Sequence, residues 1–218
     1  MLDIKYEVVI ADTDDRLRDC FRVRYEVYCL EKGYEQVVGD EETDRFDLYS
    51  QNILLRNEVG APIGTARVIP AFPLGLAGLP MARLCAPRLL DHLPGATTAE
   101  ISRFTIKAAW RTARSRRALI VGLSKISREM GLTHWVSIVE PAMLRLLRSD
   151  GIAFAGLGPT VEHRGVRQPA TFGLAGWSVP RSWVAPETGQ AWLPAVSPTE
   201  RQSHERSEIR LHDVDGVR

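Results

Sequence analysis

The stretch Ala99-Glu100-Ile101-Ser102-Arg103-Phe104 constrains this chain more than any other. Its β-branched and aromatic residues from Ile101 to Ile106 predict a strand, yet a carboxylate and a guanidinium stand three residues apart within it. A period of two puts Glu100, Ser102, Phe104 and Ile106 on one face and Ile101, Arg103 and Thr105 on the other. Burying an unpaired charge costs several kcal/mol or shifts its pKa. Either this is an edge strand with two solvated charges, or partners for both lie elsewhere and converge on it. The rest of the sequence supplies such partners, and the second reading is adopted.

With 218 residues, 44% of them hydrophobic and 25% charged, the chain can bury one sizeable core as an ordinary globular domain. A net charge of +1 excludes a global field for nucleic acid or membrane. Charge is nevertheless segregated. Residues 31–47 hold seven acids against two bases, whereas 101–128 hold eight bases and no acid. Cys20, Cys29 and Cys85 form no CxxC pair, and the first residues carry no apolar signal core. No run reaches membrane-spanning length. The expected location is therefore cytoplasmic and reducing.

A short strand from Tyr6 to Ala11 precedes a helix capped at Asp12-Thr13-Asp14-Asp15 and closed by Gly33. Leu17, Cys20, Phe21, Tyr25 and Tyr28 form its apolar arc, and Arg24 falls inside that arc. A guanidinium there calls for a carboxylate partner. Tyr34 to Phe46 reads as an acidic loop. Within it Asp40, Glu41 and Glu42 read as a solvated run, while Asp44 and Asp47 alternate with Phe46 as inward-facing acids. Residues 51–56 and 63–70 form a hairpin whose second strand carries one charge, Arg67. The long apolar connection 71–98 either walls a ligand or covers the sheet. After the charged strand come a basic run to Arg117, a helix from 118 to 130, a strand from His134 to Glu140, a helix opened by Pro141, and strands around 152–157 and 161–172. His163-Arg164-Gly165 is a turn between paired segments, and Trp135, Trp177, Trp183 and Trp192 read as packing residues. This order describes an α/β domain, a mixed sheet with helices on both faces. Residues 186–218 read as a polar C-terminal tail.

Arg24-Tyr25-Glu26-Val27-Tyr28, Tyr34, Asp44-Arg45-Phe46-Asp47, Gly64-Thr65-Ala66-Arg67 and Glu100-Ile101-Ser102-Arg103-Phe104 occur in an order and spacing that resembles the acyl-homoserine-lactone (autoinducer) synthases and the N-acyl amino acid synthases. Both belong to the Gcn5-related N-acetyltransferase (GNAT) superfamily. The segment from Gly158 to Pro169, with Tyr28-Cys29, is most similar to the exosortase-system-associated acyltransferases. The resemblance implies an acyltransferase domain over residues 1–185, with a splayed central sheet flanked by helices. It also implies a charged cluster of Arg24, Asp44, Asp47, Arg67, Glu100 and Arg103 that shapes the acceptor site and positions the donor. Tyr28, Tyr34, Ser102 and Phe104 join it as substrate-binding residues. Tyr28 stands where autoinducer synthases usually show Phe, and Tyr34 where they show Trp.

The expected reaction is N-acylation of an amino acid by a long-chain acyl thioester, with no tightly bound cofactor. Glu100 is either the base for the amine or an ion-pair partner of Arg24 or Arg103, and Arg103 is the second candidate catalytic residue. A β-bulge near Ser102, which the fold implies, would break the alternation that separates Glu100 from Arg103. No glycine lies between Thr105 and Val121, where acetyltransferases of this fold cradle coenzyme A. Arg111, Arg114, Arg116 and Arg117 there suit an acidic acyl carrier protein, with its acyl-phosphopantetheine as donor in preference to acyl-CoA. An autoinducer synthase using S-adenosylmethionine is the alternative enzyme. A non-catalytic carrier-protein binder and a nucleic-acid binder are the readings from other classes, the last opposed by the lack of any nucleic-acid module. The scattered histidines give no metal-site spacing.

Overall fold

The computed structural model describes residues 6–183 of the chain. Strands β1 (Glu7–Ile10), β2 (Gln51–Arg56), β3 (Pro62–Pro70) and β4 (Thr98–Ile106) run as an antiparallel meander. Strand β5 (His134–Val139) then lies parallel to β4, and β8 (Val166–Gly173) pairs antiparallel to β5. The short strands β6 (Ala155–Gly156) and β7 (Val161–Glu162) both pair with β8.

Alternation assigns the two faces. Val9 joins Ala11, Cys20 and Leu54 in the cluster beneath helix α1 (Asp14–Arg24). Its neighbour Val8 meets Gly122 of helix α2 (Ala113–Glu129), so the two helices cover opposite faces. The connection 71–97 folds as short 3₁₀ turns on the α1 side. Leu79, Met81, Leu90 and Leu93 pack there against Ile69 and Val136. Of the two roles open to this connection, it chiefly covers the sheet.

Helix α1 begins where Thr13 Oγ1 accepts the Arg16 N–H, with Asp14 and Asp15 in the favourable first turn. From Tyr25 to Glu31 the chain widens into a π-helical turn, sealed by Lys32 N–H donating to the Val27 carbonyl at 3.0 Å. Gly33, at φ 62°, ends it. Helix α2 starts at Ala113, five residues before the expected 118, because Thr112 and Ser115 form a reciprocal cap. The basic run thus lies within the helix's first turns rather than ahead of it. Helix α3 (Pro141–Ser149) opens with its proline at N1, as expected. The polar tail read at 186–218, and Trp192 with it, lies outside the described residues.

Two features of β4 set up the site. It pairs with β5 only through Thr98, Ala99 and Glu100, against His134, Trp135 and Val136. Beyond Glu100 the two strands part. On its other edge, Thr105 pairs with Thr65 and Ser102 with Arg67, which leaves Arg103 and Phe104 opposite the single residue Ala66. This is a β-bulge, with Arg103 at φ 50°, and strict alternation therefore fails one residue beyond Ser102.

Candidate active site

The bulge turns Arg103 onto the face that carries Arg67 and Ser102. Arg67 donates from Nε to Ser102 Oγ (3.1 Å) and from Nη1 to Asp44 (2.6 Å) and Asp47 (3.0 Å). Arg103 donates from Nη2 to Asp44 (3.0 Å) and Glu42 (2.7 Å). Arg24 donates from Nε to Glu42 (2.5 Å) and from both terminal nitrogens to Asp47 (2.7 and 3.0 Å). Three guanidiniums on α1, β3 and β4 thus interlock with three carboxylates of a single loop segment. Asp44 also caps a 3₁₀ turn, Arg45–Tyr49, by accepting the Phe46 N–H.

Burial pushes Asp47 up, but its bonds with Arg24 and the charge of Arg67 outweigh that and hold it down at about 2. Glu42 and Asp44 are likewise lowered against burial, by Arg103 and Arg24 for the first and by Arg67 and Arg103 for the second. All three acids are therefore ionised at neutral pH.

Glu42 corrects the sequence reading. It is 2% exposed, not solvated, and it joins Arg24 to Arg103. One signal could have found it. Three arginines on apolar elements need three acids, and if Glu100 serves as a base, Asp44 and Asp47 leave one place to fill.

Glu100 lies outside this network. Its Oε2 accepts the Met81 N–H at 2.8 Å, and it enters no ion pair among the described residues. The alternative of a pair with Arg24 or Arg103 is thereby removed. Burial raises its carboxyl to about 8, against the opposing pull of the Met81 N–H and the Arg67 charge. A group poised near the working pH can both take up and release a proton.

Where β4 and β5 part, a cavity of about 760 Å³ opens. Glu100, Ser102, Arg103 and Phe104 line it from β4, and Ser137, Ile138 and Val139 from β5. Ile120 and Leu123 of α2, Met143, Leu146 and Leu147 of α3, then Ile152 and Phe154 extend an apolar wall. The α3 and 152–154 parts of that wall were not foreseen, whereas the connection 71–97 contributes only Pro80, Arg83 and Leu84. The polar rim holds Tyr28, Tyr34, His163, Arg164 and Arg167. Tyr28 stacks near Tyr34 with ring centroids 6.2 Å apart, and Arg103 lies 5.6 Å from the Tyr28 ring. Burial raises the Tyr28 phenol, so it stays a neutral hydrogen-bonding group.

The basic residues expected to dock a carrier protein are largely engaged. Arg111 holds Glu31 at 2.5 Å, and Arg116 and Arg117 both clasp the buried Asp150, at 2.6 and 2.8 Å. Arg114 is exposed. Among the described residues no group of His, Cys, Asp or Glu is placed to hold a metal ion, and no helix is long and apolar enough to cross a membrane.

Residues 23–121 match the sequence profile of the acetyltransferase (GNAT) domain. Solved structures share the fold. The acyl-homoserine-lactone synthase LasI superposes with a TM-score of 0.62 at 18% identity, covering 78% of this chain and 90% of its own. The CoA-dependent acyl-homoserine lactone synthase BjaI, solved with SAM and isopentyl-CoA, gives 0.66 at 18% identity, covering 83% and 85%. FeeM, an N-acyl amino acid synthase from uncultured soil microbes, gives 0.63 at 16% identity, covering 80% and 93%. No curated protein matches in sequence. The likeness to the acetyltransferase (GNAT) domain thus lies over residues 23–121, and the chain has the mixed, splayed sheet of the structures that share its fold.

Proposed function

We propose that this acyltransferase moves a long-chain acyl group from the phosphopantetheine thioester of acyl carrier protein onto the amine of an amino acid. The observation that carries the reading is the position of Glu100. Its carboxyl sits where β4 and β5 separate, at the head of a cavity whose deeper lining from α2, β5 and α3 is apolar.

In this reading the acyl chain lies along Leu123, Leu147 and Phe154, and the thioester carbonyl sits beside the bulge of β4. The acceptor arrives as an ammonium ion, whose charge favours the ionised form of Glu100. Glu100 takes one proton, and the amine lone pair attacks the thioester carbonyl carbon. Backbone N–H groups of β4 beyond Glu100, no longer paired to β5, bear on the oxyanion. The C–S bond then breaks and the thiolate leaves, taking up a second proton from the nitrogen as free carrier thiol, while the third stays as the amide N–H. The products are an N-acyl amino acid and holo-carrier protein.

The charge network holds loop 42–47 against β3 and β4, and Tyr28, Tyr34, Ser102 and Phe104 complete the acceptor side. Carrier protein is preferred to coenzyme A because the turn before α2 has no glycine, and Arg111 and Arg116 already hold Glu31 and Asp150. The run of arginines at 111, 114, 116 and 117 suits an acidic carrier. Mass spectrometry of purified protein with a long-chain acyl carrier protein, mixed amino acids and S-adenosylmethionine is the test. A new N-acyl amino acid, absent with Glu100→Gln, is expected. An acyl-homoserine lactone, or no product from folded protein that binds the carrier, would overturn the reading.

A further inference from the structure

The 3₁₀ turn Pro80–Arg83 is anchored by Met81 and Ala82, both buried, and ends in a side chain that lines the cavity. The Met81 N–H in this same turn is the one that holds Glu100 at 2.8 Å. Arg83 differs from its neighbours. Arg67 and Arg103 are engaged in the charge network, Arg111 holds Glu31, Arg116 holds Asp150, Arg164 holds Glu35, and Arg167 holds Glu140. Arg83 has no carboxylate among the described residues. Its guanidinium rests 5.8 Å from the centroid of the Phe46 ring, which Arg45 also approaches at 4.7 Å. Contact with an aromatic face orients a guanidinium and leaves its N–H edge available to fork onto a carboxylate.

We infer that Arg83 binds the carboxylate of the acceptor while Glu100 receives its amine, so that the enzyme selects amines bearing a free carboxylate one carbon away. An α-amino acid has its ammonium and carboxylate on one carbon. One anchored turn here supplies both the N–H that places Glu100 and the cavity-lining cation without an acid. Arg83 is then a specificity residue, and the inference rests on the acyl-transfer reading above.

The test compares the standard amino acids with their carboxamides, which keep the amine and lose the negative charge. Wild type is expected to favour the acid over the amide at least tenfold in kcat/KM. Arg83→Ala is expected to raise KM for the acid roughly 10- to 100-fold and to leave the amide within about twofold. Arg83→Lys recovers part of the loss. Equal loss on acid and amide, or no change on the acid, overturns the role of Arg83. Thermal-shift titration with the same acids and amides gives a readout without turnover. Acid-selective stabilisation of wild type that Arg83→Ala abolishes supports the site even if no product forms, in which case the transfer reading alone has failed. Stabilisation that Arg83→Ala leaves unchanged, or none by any acid, overturns the site.

Discussion

Replacing Glu42 by Gln isolates the charge network from the chemistry. The wild-type carboxylate accepts Arg24 Nε at 2.5 Å and Arg103 Nη2 at 2.7 Å, with its side chain 3% exposed against 0% for Arg24 and 17% for Arg103. Gln preserves the volume, but it removes one of three negative charges and turns an amide NH₂ toward a guanidinium. Removing one member of a buried ion pair costs about 3–5 kcal/mol. Arg103 can regain some water, so the expected loss lies near the lower end, about 3 kcal/mol. In a domain of this size each kcal/mol moves Tm by roughly 2–4 °C, which gives a fall of about 6–12 °C. Thermal and urea unfolding would be measured beside Asp40→Asn, which breaks an exposed pair with Arg22 and is expected to cost about 0–1 kcal/mol. The pH dependence has a definite sign. Glu42 is held below its ordinary value of 4.5, so its contribution is full above that value and is lost as pH falls through the depressed one. The gap between wild type and Glu42→Gln should therefore close in acid. A variant within about 1 kcal/mol of wild type at pH 7, or a gap that persists in acid, would refute the reasoning.

Glu100→Gln is expected to lower kcat by about 10²–10⁴-fold while the protein stays folded, and wild-type kcat/KM should rise with pH toward a plateau above about 8. Because the Glu100 carboxyl is raised from 4.5 to about 8, its stabilising contribution is full below 4.5 and declines as pH climbs to 8, so denaturation midpoints should increasingly favour Glu100→Gln over that range. Gly122→Ala would gain about 1 kcal/mol from helix propensity alone, but its new Cβ would lie 2.9 Å from Val8 Cβ. A net loss of about 1–3 kcal/mol in urea unfolding is therefore expected. Leu123→Trp should shift the enzyme toward shorter acyl chains, with about a tenfold drop in kcat/KM for each methylene obstructed, read from competition among acyl carriers of graded length.

Much of the site was legible because charge in apolar surroundings is a local signal. Arg24 in a helical apolar arc and Arg67 and Arg103 in strands each implied a partner before any contact was known. Asp44 and Asp47 do face inward, but through a 3₁₀ turn whose three-residue spacing brings them together, not through alternation with Phe46. Glu42 was not legible by that rule. It sits two residues before Asp44 in an aperiodic run, and what holds it inward is tertiary: its N–H donates to the Phe21 carbonyl at 3.1 Å and its carboxylate meets Arg24 and Arg103. The start of α2 was missed because Arg114, Arg116 and Arg117 mask the Thr112–Ser115 cap in a run that reads as solvated. The apolar wall from α3 depends on how far β5 diverges from β4, a tertiary quantity with no periodicity of its own. Strict alternation in β4 failed for the reason the fold implied: the bulge spends an extra residue opposite Ala66.

In the charge network the signs are segregated by element. Every cation is mounted on a regular element (α1, β3 or β4), and every anion on the 42–47 segment. Local opening of that segment would therefore not scatter mixed charges into water. It would bare a concave surface with three guanidiniums and no acid among them, a trap for any multivalent anion. The segment behaves as a tethered polyanion whose attachment to its own chain keeps its effective concentration high. Its ion pairs with Arg67 and Arg103 span 20 to 61 residues, so closure follows assembly of the meander. The cavity wall that Asp44, Arg67 and Arg103 form is thus expected to close late in folding and to loosen first when sulfate or phosphate competes for the arginines.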